Sequence, residues 1–321
     1  MSETRDAGQS CFGQSPAGEE APGNENQKCW GELYGAYEFP VGALVRAVTD
    51  DGLRLDGFWQ PCPHGAPDRA VVFVHGAGSN FYSGGMWDAL SGVFHQAGYG
   101  VLRINTRGHD GHYVARSAAG VVRMGAAYEC VADAVRDLAA WCQWLEEQRV
   151  RRIVWVGHSL GAIKVLYAGA YAPPSAVSGI IALSAPRLSC RLYQEVSPVF
   201  QATLLEAKER VARGEGESLI ESRFPFPMLI TAASFLDKYG GEQYNILTFT
   251  HRIPVKTALI YGELEVADNP SFAGLPEAFQ EQARGGVRLR VEVISGADHF
   301  YTGRFEVLGE RIKPLLQWIE T

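Results

Sequence analysis

Six short, largely apolar runs, at residues 70–74, 100–104, 152–156, 179–183, 255–261 and 289–294, set the tightest limit on what this chain can fold into. A strand with one wet face alternates apolar and polar side chains, whereas a strand without alternation is buried on both faces. Between the runs lie segments with apolar residues at helical spacing, at 86–96, 127–148, 162–171, 278–283 and 304–319. Strand alternating with helix predicts an α/β fold, a parallel sheet covered by helices on both faces. Ahead of these elements, residues 43–49 and 53–59 flank Asp50-Asp51-Gly52, a turn signal that predicts an antiparallel hairpin at the sheet edge.

Two stretches fall outside this rhythm. Residues 1–30 are rich in Gly, Glu, Ser, Pro and Asn and poor in branched apolar side chains, so they are expected to form a disordered tail ahead of one domain over 31–321. Residues 187–252 hold a helical piece at 198–211 but no strong buried strand. An insertion of this kind predicts a cap over the carboxyl edge of the sheet, where ligands bind in open α/β folds.

Composition narrows the partners. With 46% hydrophobic residues in 321, one large core is available. A net charge of -7 without any cluster of Lys and Arg argues against nucleic acid or an anionic membrane as partner. The first residues lack the basic start and apolar core of a secretory signal, and no run reaches the length of a membrane span. The six cysteines, at 11, 29, 62, 130, 142 and 190, form neither a zinc pattern nor a disulfide scaffold. These features together predict a cytoplasmic protein with free thiols, its oligomeric state left open.

The run at 152–156 leads into Gly157-His158-Ser159-Leu160-Gly161 and then into a helical segment. Gly-x-Ser-x-Gly alone arises often by chance; between a strand and a helix it describes a strained turn that presents its serine. The positions two before and two after must be small, because strand and helix approach there, and Gly157 and Gly161 occupy them. A serine nucleophile needs a base, and the base needs an orienting acid. His299, just past the last strand run, is the candidate base. The acid should follow the run at 255–261, where Glu265 is preferred and Asp268 is the alternative. Glu263 lies too close to the strand end, and Asp298 reads as a local loop-former.

The Leu160 N–H at the start of the helix and the Ala77 N–H after His75-Gly76 are candidate oxyanion donors. The glycine-rich turn at 75–78 lacks Gly-x-Gly-x-x-Gly and the Walker lysine, so no nucleotide is expected there. His109, Asp110 and His112 look like a metal cluster but read as a simple turn, and no metal or cofactor is expected. Arg107 reads as structural, Lys164 as a solvated helix residue, and Trp141 and Trp144, with Leu138 and Leu145, as core. Phe200, Phe224, Phe226, Met228 and Phe235 fit an apolar pocket lining and core packing equally well.

Taken together, HGAG at 75–78, NTRGH at 105–109, GHSLG at 157–161, an acid after LIYG at 259–262 and GADHF at 296–300 resemble the α/β-hydrolase superfamily over about residues 40–320. The resemblance implies the α/β-hydrolase fold, a mostly parallel sheet of about eight strands, with a small helical cap inserted before the acid-bearing strand. It also implies Ser159 as nucleophile, His299 as base and a carboxylate as orienter. Members usually carry Asp where this chain has Glu265. The leading expectation is hydrolysis of a carboxylic ester of a small or medium organic molecule through an acyl-enzyme on Ser159. Thioesterase, amidase or peptidase, and acyltransferase chemistry would use the same residues. The superfamily also holds lyases and non-catalytic binding proteins.

Overall fold

In the computed structural model, which describes residues 41–63, 68–284, 286 and 288–321, the six apolar runs form the six parallel strands of one eight-stranded sheet. The predicted tail at 1–30 lies outside the described residues, as do Cys11 and Cys29.

Along the chain, β1 (Ala43–Val48) and β2 (Arg54–Gln60) form the expected hairpin, with Ala43 opposite Trp59 and Val48 opposite Arg54. There follow β3 (Arg69–Val74), α1 (Met86–Gln96), β4 (Gly100–Ile104) and a second hairpin of β5 (Tyr113–Ser117) and β6 (Gly120–Met124). Next come α2 (Ala134–Glu147), β7 (Arg152–His158), α3 (Leu160–Tyr171) and β8 (Val177–Leu183). The insertion then supplies α4 (Cys190–Val196), α5 (Pro198–Ala212), the paired β9 (Leu219–Ser222) and β10 (Met228–Thr231), and α6 (Ala232–Tyr239). The chain closes with β11 (Lys256–Gly262), α7 (Glu263–Asp268), α8 (Leu275–Ala283), β12 (Leu289–Ile294) and α9 (Phe305–Glu320).

The sheet order is β1-β2-β4-β3-β7-β8-β11-β12; β2 runs antiparallel to β4, and every pair from β4 to β12 is parallel. Period-two alternation divides β3 between two cores. Val72 and Val74 meet Trp141, Trp155 and Ile163 beneath α2 and α3, while Val71 and Phe73 meet Leu90, Phe94 and Leu308 beneath α1 and α9. Trp141 and Leu145 are fully buried, as their spacing predicts. Strand β12 departs from the two-faced burial expected of it: as the edge strand it leaves Arg290 and Val293 exposed.

Two hairpins were not legible in the apolar pattern. In β5–β6, Val114 and Val121 are exposed, so the strands lack a buried face to generate a signal. In the insertion, β9 and β10 are four residues each, too short for a period to register. Helix α5, by contrast, begins where local chemistry requires. Ser197 Oγ accepts the Phe200 N–H at 3.1 Å and Pro198 occupies the first turn.

Lys164 corrects the sequence reading. Helix α3 is apolar nearly all round and is buried against the sheet, so Lys164 is 1% exposed rather than solvated. Its Nζ lies 2.7 Å from Glu129 Oε2 and donates to Thr106 Oγ1 at 2.9 Å; Lys238 of α6 lies 3.2 Å from Glu129 Oε1. Helix α2 also starts at Ala134 rather than 127, because the preceding residues turn inward to place Glu129 between the two lysines.

Burial pushes the Glu129 carboxyl up, but the ammonium groups of Lys164 and Lys238 outweigh it and hold the group at about 2. Replacing Glu129 with Gln leaves two buried cations without their counterion, which is expected to cost about 3–5 kcal/mol of stability. Because the folded pKa is depressed, this contribution is present above the unfolded value of 4.5 and is lost as pH falls toward 2. Urea unfolding of both proteins checks this: the gap between them should be full at pH 7 and narrow below pH 4.5.

Candidate active site

Ser159 stands between β7 and α3 with φ 56° and ψ -121°, a backbone conformation that L-residues adopt only under constraint. The constraint is steric. A Cβ on Gly157 would lie 2.3 Å from Gly161 O, and one on Gly161 would lie 2.2 Å from Val74 O and 2.4 Å from His75 O. Gly161→Ala must therefore push α3 off the exit of β3, where no flexible side chain can yield. The expected loss is about 3 kcal/mol or more, read as a lower denaturation midpoint.

The three residues singled out for nucleophile, base and acid meet. His299 Nε2 is 3.1 Å from Ser159 Oγ, and His299 Nδ1 is 2.6 Å from Glu265 Oε2. With the carboxylate accepting at Nδ1–H, Nε2 is left to accept the serine proton. Asp268 sits at the exposed end of α7 and makes no hydrogen bond to His299. Glu263 accepts from Ser295 Oγ and the Gly296 N–H, both at 2.8 Å. Asp298 accepts from the Phe300 and Thr302 N–H groups and closes its own loop.

Glu265 is held from behind by residues that motif reasoning did not name. Its Oε1 accepts the Gly262 N–H at 2.8 Å and the Ser184 hydroxyl at 2.7 Å. Tyr301, fully buried, sets its hydroxyl 2.9 Å from Ser184 Oγ and donates to Ile260 O. Ser184 and Tyr301 both take positive φ, 51° and 55°. Only the fold brings them beside Glu265, so neither carries a local signal. His158, inside the serine motif, donates from Nε2 to the His299 carbonyl at 2.8 Å and so fixes the loop carrying the candidate base. Burial, followed by the neighbouring His299, lowers the His158 ring to about 3, so it is neutral.

On the opposite side, His75 Nδ1 donates to Gly76 O at 2.8 Å while its Nε2 accepts the Thr106 N–H at 3.1 Å. Both partners have fixed roles, so only one tautomer fits. Burial, then Lys164, lowers the His75 ring to about 3 and keeps it neutral. A trans peptide carries its C=O and N–H on opposite edges, so anchoring Gly76 O turns the Ala77 N–H the other way. Ala77 and Leu160 both line the cavity at Ser159, and neither N–H has a hydrogen-bond partner among the described residues.

That cavity measures about 510 Å³. Gly76, Ala77, Met86, Trp87, Leu160 and His299 bound it from the sheet side, and Leu188, Tyr193, Pro225, Phe226 and Tyr239 of the insertion bound it from the other. Of the five apolar residues flagged in the insertion, Phe226 lines the cavity; Phe200 and Phe235 are fully buried core, and Phe224 and Met228 pack against that core.

The remaining candidates have structural partners. Arg107 pairs with Asp137 at 2.9 Å and Asp51 at 3.1 Å. His109 stacks on Tyr113 and pairs with Asp110, and His112 packs near Tyr128. Among the described residues no group of three or more His, Cys, Asp or Glu is placed to hold a metal ion.

Comparison with known proteins bears on the fold and the family. Two uncharacterized proteins from strains of Mycobacterium tuberculosis are each 30% identical over 138 residues, which is 43% of this chain and 44% of theirs. The match thus spans less than half the length of these relatives. A carboxyl esterase from Bacillus coagulans superposes with a TM-score of 0.63 at 14% identity, covering 88% of this chain and 99% of that one. An esterase from Pyrococcus furiosus superposes at 0.56 with 20% identity, covering 87% and 93%. The protein Est1E from Butyrivibrio proteoclasticus, with ferulic acid bound, superposes at 0.61 with 15% identity, covering 86% and 100%. At these identities the solved structures establish the fold, and the sequence pattern of the alpha/beta hydrolase family matches residues 71–305. The chain belongs to the alpha/beta hydrolase family.

Proposed function

We propose that this protein is a serine hydrolase that cleaves carboxylic esters through an acyl-enzyme on Ser159. The observation that carries the reading is the hydrogen-bonded chain Glu265–His299–Ser159, opening on a cavity beside two unpartnered N–H groups. Ser159 Oγ attacks the ester carbonyl as His299 Nε2 takes its proton, and Glu265 stabilises the imidazolium through Nδ1–H. The carbonyl oxygen gains negative charge and is held by the N–H groups of Ala77 and Leu160. His299 returns the proton to the departing alkoxide. Water then attacks the acyl-enzyme by the same route, releasing the acid and restoring Ser159. The two esterases that share this fold support the choice of ester over amide or thioester.

Labelling with a fluorophosphonate probe tests the nucleophile, and turnover of short p-nitrophenyl esters tests the reaction. Adduct on Ser159 together with ester turnover is the expected result; labelling that persists in Ser159→Ala would sink the reading. No helix of the described residues is long and apolar enough to cross a membrane, and the described cysteines, 62, 130, 142 and 190, are all unpaired.

A further inference from the structure

The wall of the cavity at Ser159 carries no Lys, Arg, Asp or Glu side chain among the described residues. An ionised group entering it would lose its hydration and find no counterion. Trp87, Leu188, Tyr193, Phe226 and Phe272 instead offer apolar and aromatic surface.

The wall also holds polar groups, but most are engaged with protein: Ser79 donates to Ser83, Ser83 to Asn80, Ser271 Oγ shares a hydrogen bond with the Tyr193 hydroxyl, and Asn269 Oδ1 accepts the Ser271 N–H. Tyr239, the last residue of α6, is 4% exposed, lines the cavity, and its hydroxyl has no hydrogen-bond partner among the described residues. A tyrosine pairs a large apolar ring with one polar tip, and here the tip is left free for a molecule in the cavity. The neighbouring Tyr193 shows the ordinary solution, donating to Arg187 O at 2.8 Å. The Tyr261 hydroxyl differs: it is sealed from solvent without a partner among the described residues and does not line the cavity. The Tyr239 ring is set by edge-on packing against Phe235 at 5.3 Å and Tyr193 at 6.4 Å. Burial pushes its phenol above the usual tyrosine range, so it remains a donor.

We propose that the substrate is an uncharged ester whose apolar arm carries an oxygen function remote from the scissile bond, and that Tyr239 is the specificity-determining residue that donates a hydrogen bond to that oxygen. The proposal rests on the ester-hydrolase reading of Ser159. It assigns a division of labour within the cavity: the aromatic wall takes the arm, and Tyr239 selects among arms of equal size.

The test compares p-nitrophenyl 3-phenylpropanoate with its 4-hydroxy and 4-methoxy derivatives and with p-nitrophenyl hydrogen succinate. A mirrored series of benzyl, 4-hydroxybenzyl and 4-methoxybenzyl acetates places the oxygen on the alcohol arm. In at least one series the wild-type protein is expected to prefer an oxygenated arm by about tenfold or more in kcat/KM. Tyr239→Phe keeps the ring and removes the donor, so that ratio should fall to about one. A purely structural role would change both members of a pair together and leave the ratio at its wild-type value. The anionic succinate should be turned over at least about 100-fold more slowly than the phenyl parent. Equal ratios in wild type and Tyr239→Phe in both series, or brisk turnover of the succinate, would overturn the proposal while leaving Ser159 as nucleophile. No turnover of any ester and no fluorophosphonate adduct would instead remove the reading on which it stands.

Discussion

Replacing Ser159 with Ala is expected to lower kcat/KM for ester hydrolysis by about 10⁴- to 10⁶-fold, the range seen when a triad nucleophile is removed while the oxyanion donors and binding surface remain. The substitution deletes one oxygen, whose contact with His299 Nε2 is the hydroxyl's hydrogen bond in the site. The backbone at φ 56° is equally constrained for either residue, because Gly157 and Gly161 impose it. Unfolding midpoints should therefore agree closely while activity collapses. A residual rate within tenfold of wild type would show that another group attacks the carbonyl.

Glu265→Gln should cost about 10³- to 10⁴-fold in kcat with Asp268→Asn within about twofold of wild type. The amide can keep its oxygen toward the Gly262 N–H and the Ser184 hydroxyl, which Oε1 satisfies now. Its NH₂ then faces His299 Nδ1, which must accept rather than donate. The ring proton moves to Nε2, and the histidine presents a donor to Ser159 where an acceptor is required. A loss of activity in Asp268→Asn comparable to that in Glu265→Gln would reverse the assignment of the acid.

The contrast between these two carboxylates shows where local reading stops. Both lie on the six-residue α7, a few positions past the same strand, and residue type and spacing admit either. The decision comes from the start of that helix: Glu265 folds back to cap the Gly262 N–H, which aims its second oxygen at His299 and leaves Asp268 on the outer end. His299 needed no such help, since one loop separates β12 from α9 and the loop ends over the sheet edge that carries Ser159. Lys164 is the opposite case. Helical position and residue type suggest solvent, but its partners Glu129 and Thr106 come from other loops, and Lys238 reaches the same carboxylate from the insertion.

By itself the sequence determined what short-range physics can encode: continuous apolar runs for strands buried on both faces, helical spacing between them, and glycines where a serine turn leaves no room for a Cβ. It therefore specified an α/β sheet with a serine presented at a strand exit. Tertiary structure decided what depends on atoms distant in sequence meeting at hydrogen-bond range. Which acid reaches His299, how Ser184, Tyr301 and His158 brace the site, why Lys164 is buried, and that Tyr239 faces the cavity without a partner all follow from the packing of separate elements. The physical reason is directional: burial of apolar surface needs only a pattern, whereas a hydrogen bond or buried charge pair needs two particular groups brought into contact.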